Sequence, residues 1–479
     1  MTNLDTLCQS PISEVSELLR SRAVSPRDLT EAMLARISAL DPALGSYVTV
    51  VAERAREQAA KAEREITQGE WRGPLHGIPM GIKDIFYTRD IPTGVGSKIL
   101  SNWKPAHDAH IVERLDDAGT ILLGKQAMTE FAFSGYHPDF EPPRNPWDPE
   151  RWAGVSSSGS AVAVASGLSF GSFGTDTGGS IRFPAAVNGI VGIKPTFGRI
   201  SRYGTFPFAD SLDHVGPFAR SVEDAAILLD AVAGRDRRDP LSLRVAGDSY
   251  RAATRQSVTD LVVGYDESYC HDHSSPEVAA AIEKAAAVLA DAGARIVPVD
   301  IASLFELCGY FGILSGAEAL LVHAEIFPAR KSEIGPTFVE LLETCASAHA
   351  VDLARAYSVW ARVSARLDEV FDSVDILCLP SMGVSAPTLG EVAPQPVISP
   401  EAMAEYLAFT APFNFSGHPT ISLPCGLSSE GLPLSLQLVG RATREVDIIA
   451  AAAAFEKATS WSTLRPPLPA AVGPHHPIL

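Results

Sequence analysis

The sequence predicts an α/β protein in which a β-sheet is covered by helices on both faces. Two observations support this fold class. Segments with helical patterning alternate with short apolar runs, and each run is only four or five residues long. Short, wholly apolar strands between helices are typical of a sheet that is buried on both faces. A third observation, the absence of an internal repeat, argues against a solenoid or a propeller.

The first clear helix signal is Ser25-Pro-Arg-Asp28. A serine N-cap is followed there by a proline at the first helical position and by an acid three residues after the serine. Leu29, Met33 and Ile37 then fall on one helical face. These residues predict an amphipathic helix that begins at about residue 26.

The later elements continue the alternation. Ser221-Val-Glu-Asp224 carries a second capping signal, which predicts a helix running to about Ala233. The charged loop Arg235-Asp-Arg-Arg-Asp-Pro240 is the strongest internal boundary, but we expect the strands on its two sides to share one sheet. The other predicted elements are helices at His110–Ala118 and Pro276–Ala292 and strands at Thr120–Leu123, Leu261–Gly264, Arg295–Pro298, Asp375–Leu379 and Thr420–Leu423.

Composition and charge limit the class of protein. The chain has 479 residues, of which 46% are hydrophobic and 20% are charged, as in ordinary globular enzymes. Its net charge of -18 argues against nucleic acid and anionic membrane partners, because both attract lysine and arginine. The six cysteines contain no C-x-x-C pair, and the segment Met1–Asp5 has no signal-peptide features. We therefore expect reduced thiols in a cytoplasmic protein that has no membrane partner.

The most informative motif is Gly174-Thr-Asp-Thr-Gly-Gly-Ser-Ile-Arg-Phe-Pro184. Two glycines before Ser180 let the backbone turn tightly and direct consecutive N–H groups at one point. Such a nest can stabilise an oxyanion, and a serine beside it is a candidate nucleophile. A second serine cluster, Ser156-Ser-Ser-Gly-Ser160, lies shortly upstream.

Lys83 completes a candidate catalytic set, since it lies in the apolar segment Gly77-Ile-Pro-Met-Gly-Ile-Lys83-Asp84. Burial of a lysine lowers its pKa toward ~7–8, so that the neutral amine can accept a proton from a serine. A second serine hydroxyl can relay that proton, because it donates to one partner while it accepts from the other. The lysine and the two serines would together form the catalytic set of a hydrolase that does not use histidine.

Three segments together resemble the amidase signature family. Gly154-Val-Ser-Ser-Ser-Gly-Ser160 is similar to its double-serine signature, Gly174–Ala185 to its nucleophile segment and Gly77–Asp84 to its lysine segment. The resemblance extends from about residue 24 to 467. It implies the amidase signature fold, with a large mixed, twisted β-sheet covered by helices on both faces. It also implies one amidase domain over 1–479, with an N-terminal helical segment at about 1–70, a signature core at 71–235, a variable helical segment at 244–374 and a C-terminal sheet completion at 375–467.

The resemblance also implies the role of each residue. Lys83 is the base, Ser156 the relay held by a cis peptide bond, and Ser180 the nucleophile. Backbone N–H groups of Thr177, Gly178, Gly179 and Ser180 form the oxyanion hole. Val155 and Ser158 replace two glycines of the family pattern, so Ser157 is kept as the alternative relay.

Each of the other candidate residues has two possible roles. Met128, Phe131 and Phe133 either line the acyl pocket, as the matching segment of the family does, or pack in the core. Arg182 either binds a substrate carboxylate or pairs with an acid such as Asp176, and Ser157 is counted among the pocket residues. His214 after Asp213 is compatible with a Ser-His-Asp triad, although the lysine–serine set accounts for more of the chain.

Neither a metal site nor a phosphate-binding loop is predicted. Cys270-His-Asp-His273 has metal-ligating side chains, but nothing near it in sequence completes a site, and a solvated loop is expected. The glycine-rich segment Gly167–Gly179 is not followed by the lysine and serine or threonine of a P-loop.

The function implied is hydrolysis of an amide carbon–nitrogen bond in a small molecule through an acyl-enzyme, without a metal or cofactor. The substrate is expected to be a small-molecule amide or carbamate, and a homodimer is one assembly that the sequence allows. Two alternatives remain: a carbamate or ester hydrolase with the same three residues, and the glutamine-hydrolysing subunit of an amidotransferase. The latter would need a large partner protein.

Overall fold

The computed structural model describes residues 4–392 and 400–468, so both ends of the chain lie outside the described residues. Eleven strands form two sheets within these ranges. They are β1 (Tyr47–Val50), β2 (Pro79–Lys83), β3 (Ile121–Gln126), β4 (Gly171–Asp176), β5 (Val191–Lys194), β6 (His214–Ala219), β7 (Val262–Tyr265), β8 (Arg295–Pro298), β9 (Ile376–Pro380), β10 (Thr420–Leu427) and β11 (Pro433–Gly440).

The larger sheet has eight strands in the order β4-β6-β5-β10-β11-β9-β7-β8. Neighbours are antiparallel from β4 to β9, whereas β7 runs parallel to both β8 and β9. Strands from both sides of the loop at 235–240 therefore lie in one sheet, as predicted. Every residue of β4, β6 and β11 is buried, which requires cover on both faces.

The smaller sheet, β1-β3-β2, lies beside the larger one. The backbone N–H of Gly81 in β2 donates to Ser169 Oγ at 2.9 Å, and the N–H of Phe170 donates to the carbonyl of Pro79 at 3.3 Å. These bonds fix the first half of β2 against the segment that leads into β4. They place the lysine of one motif beside the serine motifs of the other sheet.

The helices surround both sheets. In the described ranges they are Leu4–Leu7, Ile12–Arg20, Pro26–Leu44, Ala52–Gln68, His110–Asp117, Ser158–Ala165, Arg182–Asn188, Val222–Val232, Tyr250–Ala253, Glu267–Asp272, Pro276–Asp291, Phe305–Cys308, Phe311–Val322, Phe327–Arg330, Pro336–Ala346, Ala350–Phe371, Leu389–Val392, Pro400–Leu407, Ala411–Phe415 and Glu445–Ala458. Short 3-10 turns occur at Lys98–Leu100, Glu130–Ala132, Ala302–Leu304, Lys331–Glu333 and Trp461–Thr463.

The predicted caps form as expected. Ser25 Oγ accepts hydrogen bonds from the backbone N–H groups of Arg27 and Asp28 at the start of Pro26–Leu44. Ser221 Oγ accepts from the N–H of Asp224 in the same way. All the predicted helices and strands are present, each within about four residues of its expected ends. Local capping and apolar patterning determine these elements, which explains why the sequence predicts them.

The expectation for Cys270-His-Asp-His273 is wrong. This segment belongs largely to the helix Glu267–Asp272 rather than to a solvated loop, and Cys270 is fully buried. His273 stacks on Phe305 with ring centroids 4.3 Å apart and contacts Glu405 through Nδ1 at 3.1 Å. The apolar face of the helix drives this packing. The polar residues of the segment make that face hard to recognise in the sequence.

One helical stretch of the described chain, Ala302–Val322, is long and apolar enough by composition to cross a membrane, with a mean hydropathy of 1.4. In the structure it is divided into a 3-10 turn and two helices. Leu304, Leu307, Phe311 and Leu314 are buried against the rest of the protein. The stretch therefore contributes a face to the core.

Candidate active site

Lys83 and Ser156 meet in the interior, at the junction of the two sheets. Lys83 is the last residue of β2, and Ser156 lies in the loop before the helix Ser158–Ala165. Lys83 Nζ lies 2.7 Å from Ser156 Oγ and 2.8 Å from Thr175 Oγ1 in β4. Lys83 and Ser156 have no exposed surface. The amine therefore has two hydroxyl partners in a dry environment.

Burial changes the proton affinity of this lysine. Loss of hydration lowers the pKa of Lys83 from its ordinary value to about 7, although the charges of Asp213 and Asp176 oppose the shift. A substantial fraction of the amine is then neutral near neutral pH. At 2.7 Å, a neutral Nζ can accept the hydroxyl proton of Ser156, and an ammonium can return it.

The two adjacent serines have different contacts. The peptide bond between Val155 and Ser156 is cis, and Ser156 Oγ lies against Lys83. Ser157 Oγ instead donates to the backbone carbonyl of Thr175 at 3.2 Å. Ser157 is fully buried, so its contacts are with the interior and with β4. The geometry favours Ser156 over Ser157 as the partner of the lysine.

Ser180 lies in the loop between β4 and the helix Arg182–Asn188. Its side chain is partly exposed, and its hydroxyl makes no hydrogen bond to any residue that the structure describes. The link between Ser156 and Ser180 is therefore not a hydrogen bond in this structure. The Ser180 hydroxyl is left free to contact an incoming molecule.

The loop around Ser180 offers backbone donors, but fewer than expected. The N–H of Gly179 donates to Asp176 Oδ1 at 2.8 Å, so the prediction that it is free for an oxyanion is wrong. The N–H groups of Thr177, Gly178 and Ser180 have no acceptor among the described residues. A Cβ at Gly178 would lie 2.6 Å from the ring of Phe311, so a larger residue there would displace that ring. Three of the four predicted N–H donors, those of Thr177, Gly178 and Ser180, therefore remain available for an oxyanion.

Arg182 is not a pocket residue in this structure, which corrects that expectation. It is fully buried, and it binds the carboxylate of Asp176 through Nε at 3.0 Å and through Nη2 at 2.8 Å. Its other guanidinium contacts are with the carbonyl of Thr410 and with the side chains of Gln437 and Asn414. These contacts match the other interpretation, in which Arg182 pairs with Asp176. They leave no guanidinium donor for a substrate carboxylate.

Met128 and Phe131 are buried beside the serine loop. The backbone N–H of Thr129, which lies between them, donates to the carbonyl of Ser156 at 3.2 Å. Phe131 has φ 49°, a conformation that is strained for an aromatic residue, and its ring packs at 5.0 Å from that of Phe338. Both the pocket and the core interpretations fit this position, since one side of the segment contacts the core and the other the serine loop.

The alternative Ser-His-Asp triad does not form. His214 Nδ1 contacts the carbonyl of Leu212 at 2.6 Å rather than the carboxylate of Asp213. Asp213 accepts hydrogen bonds from the hydroxyl of Thr177 at 2.5 Å and from the N–H groups of Phe208 and Ala209. Burial raises the pKa of Asp213 to about 6.

Thr175 is a site residue that sequence reasoning missed, and Asp213 was considered only as the partner of His214 in a triad. Thr175 faces Lys83 because alternate residues of β4 point to one side of the sheet. Its position five residues before Ser180 was a weak sequence signal that it belongs to the site. Asp213 holds the nucleophile loop through Thr177, and no local pattern indicates that contact.

No group of three or more His, Cys, Asp or Glu side chains in the described ranges could hold a metal ion. The cysteines Cys8, Cys270, Cys308, Cys345, Cys378 and Cys425 are all free thiols.

Comparison with known proteins identifies the family. The amidase family model matches residues 28–449. The "Putative amidase AmiD" of Mycobacterium tuberculosis is 40% identical over 465 residues, covering 97% of each chain. A glutamyl-tRNA(Gln) amidotransferase subunit from Moorella thermoacetica is 37% identical and covers 95% of this chain and 98% of its own. A solved structure of 6-aminohexanoate cyclic dimer hydrolase with substrate has a TM-score of 0.87 and 29% identity, over 96% of this chain and 99% of its own. The chain therefore belongs to the amidase signature family and is an amidase, a hydrolase of amide carbon–nitrogen bonds.

Proposed function

We propose that this amidase cleaves a small-molecule amide through an acyl-enzyme on Ser180, with Ser156 as proton relay and Lys83 as base. The observation that carries the proposal is the 2.7 Å contact between Lys83 Nζ and Ser156 Oγ. It lies in a buried site where the pKa of the lysine falls to about 7. A base of this pKa suits proton transfer at neutral pH.

The first half-reaction forms the acyl-enzyme. Ser180 Oγ attacks the amide carbonyl while its proton passes to Ser156 Oγ, and the proton of Ser156 passes to Lys83 Nζ. The tetrahedral oxyanion receives hydrogen bonds from free N–H groups of the nucleophile loop. The carbon–nitrogen bond then breaks, and the amine leaves with a proton that returns from Lys83 through Ser156.

The second half-reaction regenerates the enzyme. A water molecule attacks the acyl carbonyl, and its proton passes to Lys83 by the same relay. The ester bond to Ser180 breaks, the carboxylic acid is released, and Ser180 Oγ recovers a proton. The protein groups in this cycle all belong to this chain: the side chains of Ser180, Ser156 and Lys83, and backbone N–H groups of the nucleophile loop.

A labelling experiment tests the assignment of the nucleophile. A fluorophosphonate probe is expected to modify wild-type protein once, at the peptide that contains Ser180, as measured by mass spectrometry. Ser180→Ala is expected to lose both labelling and amide turnover, with an unchanged circular dichroism spectrum. Ser257→Ala, at an exposed serine far along the chain, is the matched control and should retain both. Labelling of Ser180→Ala, or turnover within tenfold of wild type, would contradict the proposal.

A second candidate is the glutamine-hydrolysing subunit of an amidotransferase. The relative from Moorella thermoacetica favours it, since that protein matches nearly the whole chain. Purified protein that hydrolyses aryl or aliphatic amides without a partner supports the self-sufficient amidase. Turnover of glutamine alone, stimulated by a partner protein, supports the amidotransferase role instead. Matched esters and carbamates belong in the same screen, because the same three side chains can attack their carbonyls.

A further inference from the structure

The charged loop at 235–240 and the segment that follows it line a cavity of about 420 Å³. Its walls include the side chains of Arg235, Arg237 and Arg244, together with those of Asp236 and Asp239, and we call it the arginine cavity. All of its described lining residues lie between 235 and 244, outside the candidate active site. Sites for small molecules usually have volumes of about 300–1,000 Å³, so this cavity is large enough to hold one.

The three arginines of the cavity have exposed side chains that pair with no other group. The guanidinium groups of Arg235, Arg237 and Arg244 form neither a hydrogen bond nor an ion pair with any residue at 4–392 or 400–468. Three like charges around one cavity repel one another, and a bound anion would relieve that repulsion. Each guanidinium also offers a planar fork of N–H donors, which is the geometry that binds phosphate and carboxylate oxygens.

The two carboxylates of the cavity are already bound by other groups of the protein. Asp236 accepts hydrogen bonds from Arg238 Nε at 3.0 Å and from Ser201 Oγ at 3.1 Å. Asp239 accepts from the backbone N–H of Arg202 at 2.9 Å. Both aspartates are buried, so their charges are compensated from inside the protein. The charge that remains available to a ligand is therefore positive, although the whole chain carries a net charge of -18.

Buried contacts hold the backbone that carries these arginines. Nη1 of the buried Arg199 donates to the carbonyl of Val245 at 3.1 Å, directly after Arg244. The N–H of Asp236 donates to Ser242 Oγ at 3.0 Å and closes the loop. The backbone is therefore in place before an anion arrives, and only the three side chains have to be ordered. Such preorganisation lowers the entropic cost of binding.

We propose that the arginine cavity binds a small anion that carries two or more linked phosphate groups. Three guanidinium groups match an anion with several negative charges, and each of them can bind phosphate oxygens in a fork. Phosphate oxygens point in several directions, whereas the two oxygens of a carboxylate share one plane. Linked phosphates therefore suit arginines that approach from different positions on a loop. The net charge of -18 opposes a nucleic acid or an anionic membrane, so a compact anion is favoured.

Isothermal titration calorimetry of the full chain, in a buffer without divalent cations, measures the binding. The probes are inorganic tripolyphosphate, uridine diphosphate, orthophosphate and citrate, of which citrate carries several negative charges without phosphate. Tripolyphosphate is expected to bind at one site, about 10-fold or more tightly than orthophosphate and citrate, because it reaches more of the guanidinium groups. Its affinity should fall as NaCl is added, since salt screens exposed charges. Whichever of tripolyphosphate and uridine diphosphate binds more tightly identifies the source of the phosphates as inorganic or organic.

Substitutions of the three arginines locate the site. Arg235→Gln, Arg237→Gln and Arg244→Gln are each expected to weaken tripolyphosphate binding about 10-fold, and the triple variant to abolish it. These side chains are exposed and unpaired, so the variants should keep the wild-type circular dichroism spectrum and amide turnover. Arg64→Gln is the matched control, because Arg64 is also exposed and has no partner among the described residues. It should bind tripolyphosphate as the wild type does.

Four outcomes would overturn the proposal. The first is that no phosphate probe binds, by calorimetry and by thermal shift. The second is that citrate binds as tightly as tripolyphosphate, which would show that charge alone is recognised. The third is wild-type affinity in the triple variant, which would place the anion elsewhere. The fourth is an equal loss of affinity in Arg64→Gln and in the single cavity variants, which would show that binding reflects only the net charge of the protein.

Discussion

Asp176 and Arg182 lie at the two ends of the nucleophile loop and form a fully buried ion pair with two hydrogen bonds. Nη2 of Arg182 lies 2.8 Å from Oδ1 of Asp176, and Nε lies 3.0 Å from Oδ2. The same carboxylate accepts from the N–H of Gly179 at 2.8 Å and from that of Ile181 at 3.0 Å. Asp176 therefore binds the backbone on both sides of Ser180 and fixes the loop from within.

This pair also explains the protonation of Asp176. Burial alone would raise its pKa, but the Arg182 guanidinium and the amide of Asn414 hold the pKa of this carboxyl well below its usual range. The carboxylate stays ionised across the working pH range, so the loop keeps its hydrogen bonds. A buried pair of this kind depends on both partners, because either charge alone would be left without compensation.

Arg182→Ala is expected to lower the free energy of unfolding by about 3–5 kcal/mol and to abolish turnover, because it leaves Asp176 buried without its partner. The urea midpoint, followed by circular dichroism, measures the stability. Arg366→Ala, which removes an exposed pair with Glu369, is the matched control and should shift the midpoint little. An Arg182→Ala protein with wild-type midpoint and activity would show that the pair does not hold the loop.

Ser156→Ala is expected to reduce kcat/KM more for an amide than for a matched activated ester. The relay returns a proton to the leaving amine, whereas an activated phenoxide leaves without one. General acid–base assistance is worth roughly 10²–10⁴-fold, so the difference is measurable. Ser157→Ala is the control, since its hydroxyl contacts a backbone carbonyl instead of Lys83. A larger, amide-selective loss in Ser157→Ala would move the relay to that residue.

The acid side of the pH–rate profile is expected to report Lys83. Its neutral form is the base, and that form increases as pH rises through about 7. Therefore kcat/KM should rise about tenfold per pH unit below this value and level above it. Asp213→Asn should move the midpoint to lower pH, because the Asp213 charge raises the lysine pKa. A profile that is flat from pH 5 to 8, or normal turnover by Lys83→Ala, would identify another base.

Thr175→Val is expected to lower kcat by about tenfold with little change in KM, since the hydroxyl contacts Lys83 and not the substrate. Thr175→Ser keeps the hydroxyl and should restore most of the rate. The acid midpoint of kcat/KM should also shift in Thr175→Val, because one hydrogen-bond partner of Nζ is lost. Equal rates and an unchanged pH profile in the valine variant would show that Thr175 only packs.

Local features of the fold were predictable from the sequence. Ser25 and Ser221 carry the side-chain oxygens that cap helices, and their effects act within three residues. The apolar run in Asp375–Leu379 predicts a buried strand for the same reason, and the strand Ile376–Pro380 is buried throughout. The helix that contains Cys270 was missed, because its buried face is interrupted by polar residues that point to solvent.

The sequence by itself determined the α/β class, the helix caps and the chemical types in the site: a lysine among apolar residues and serines beside glycines. Only the tertiary structure decided which of these groups meet. Lys83 and Ser156 are 73 residues apart, and Lys83 and Thr175 are 92 apart. Their contacts depend on how β2 packs beside β4. Likewise, the pairing of Arg182 with Asp176, Thr410 and Asn414 removes it from the pocket. The physical reason is that a side chain's role depends on its partners and its hydration, and both are set by packing between distant segments.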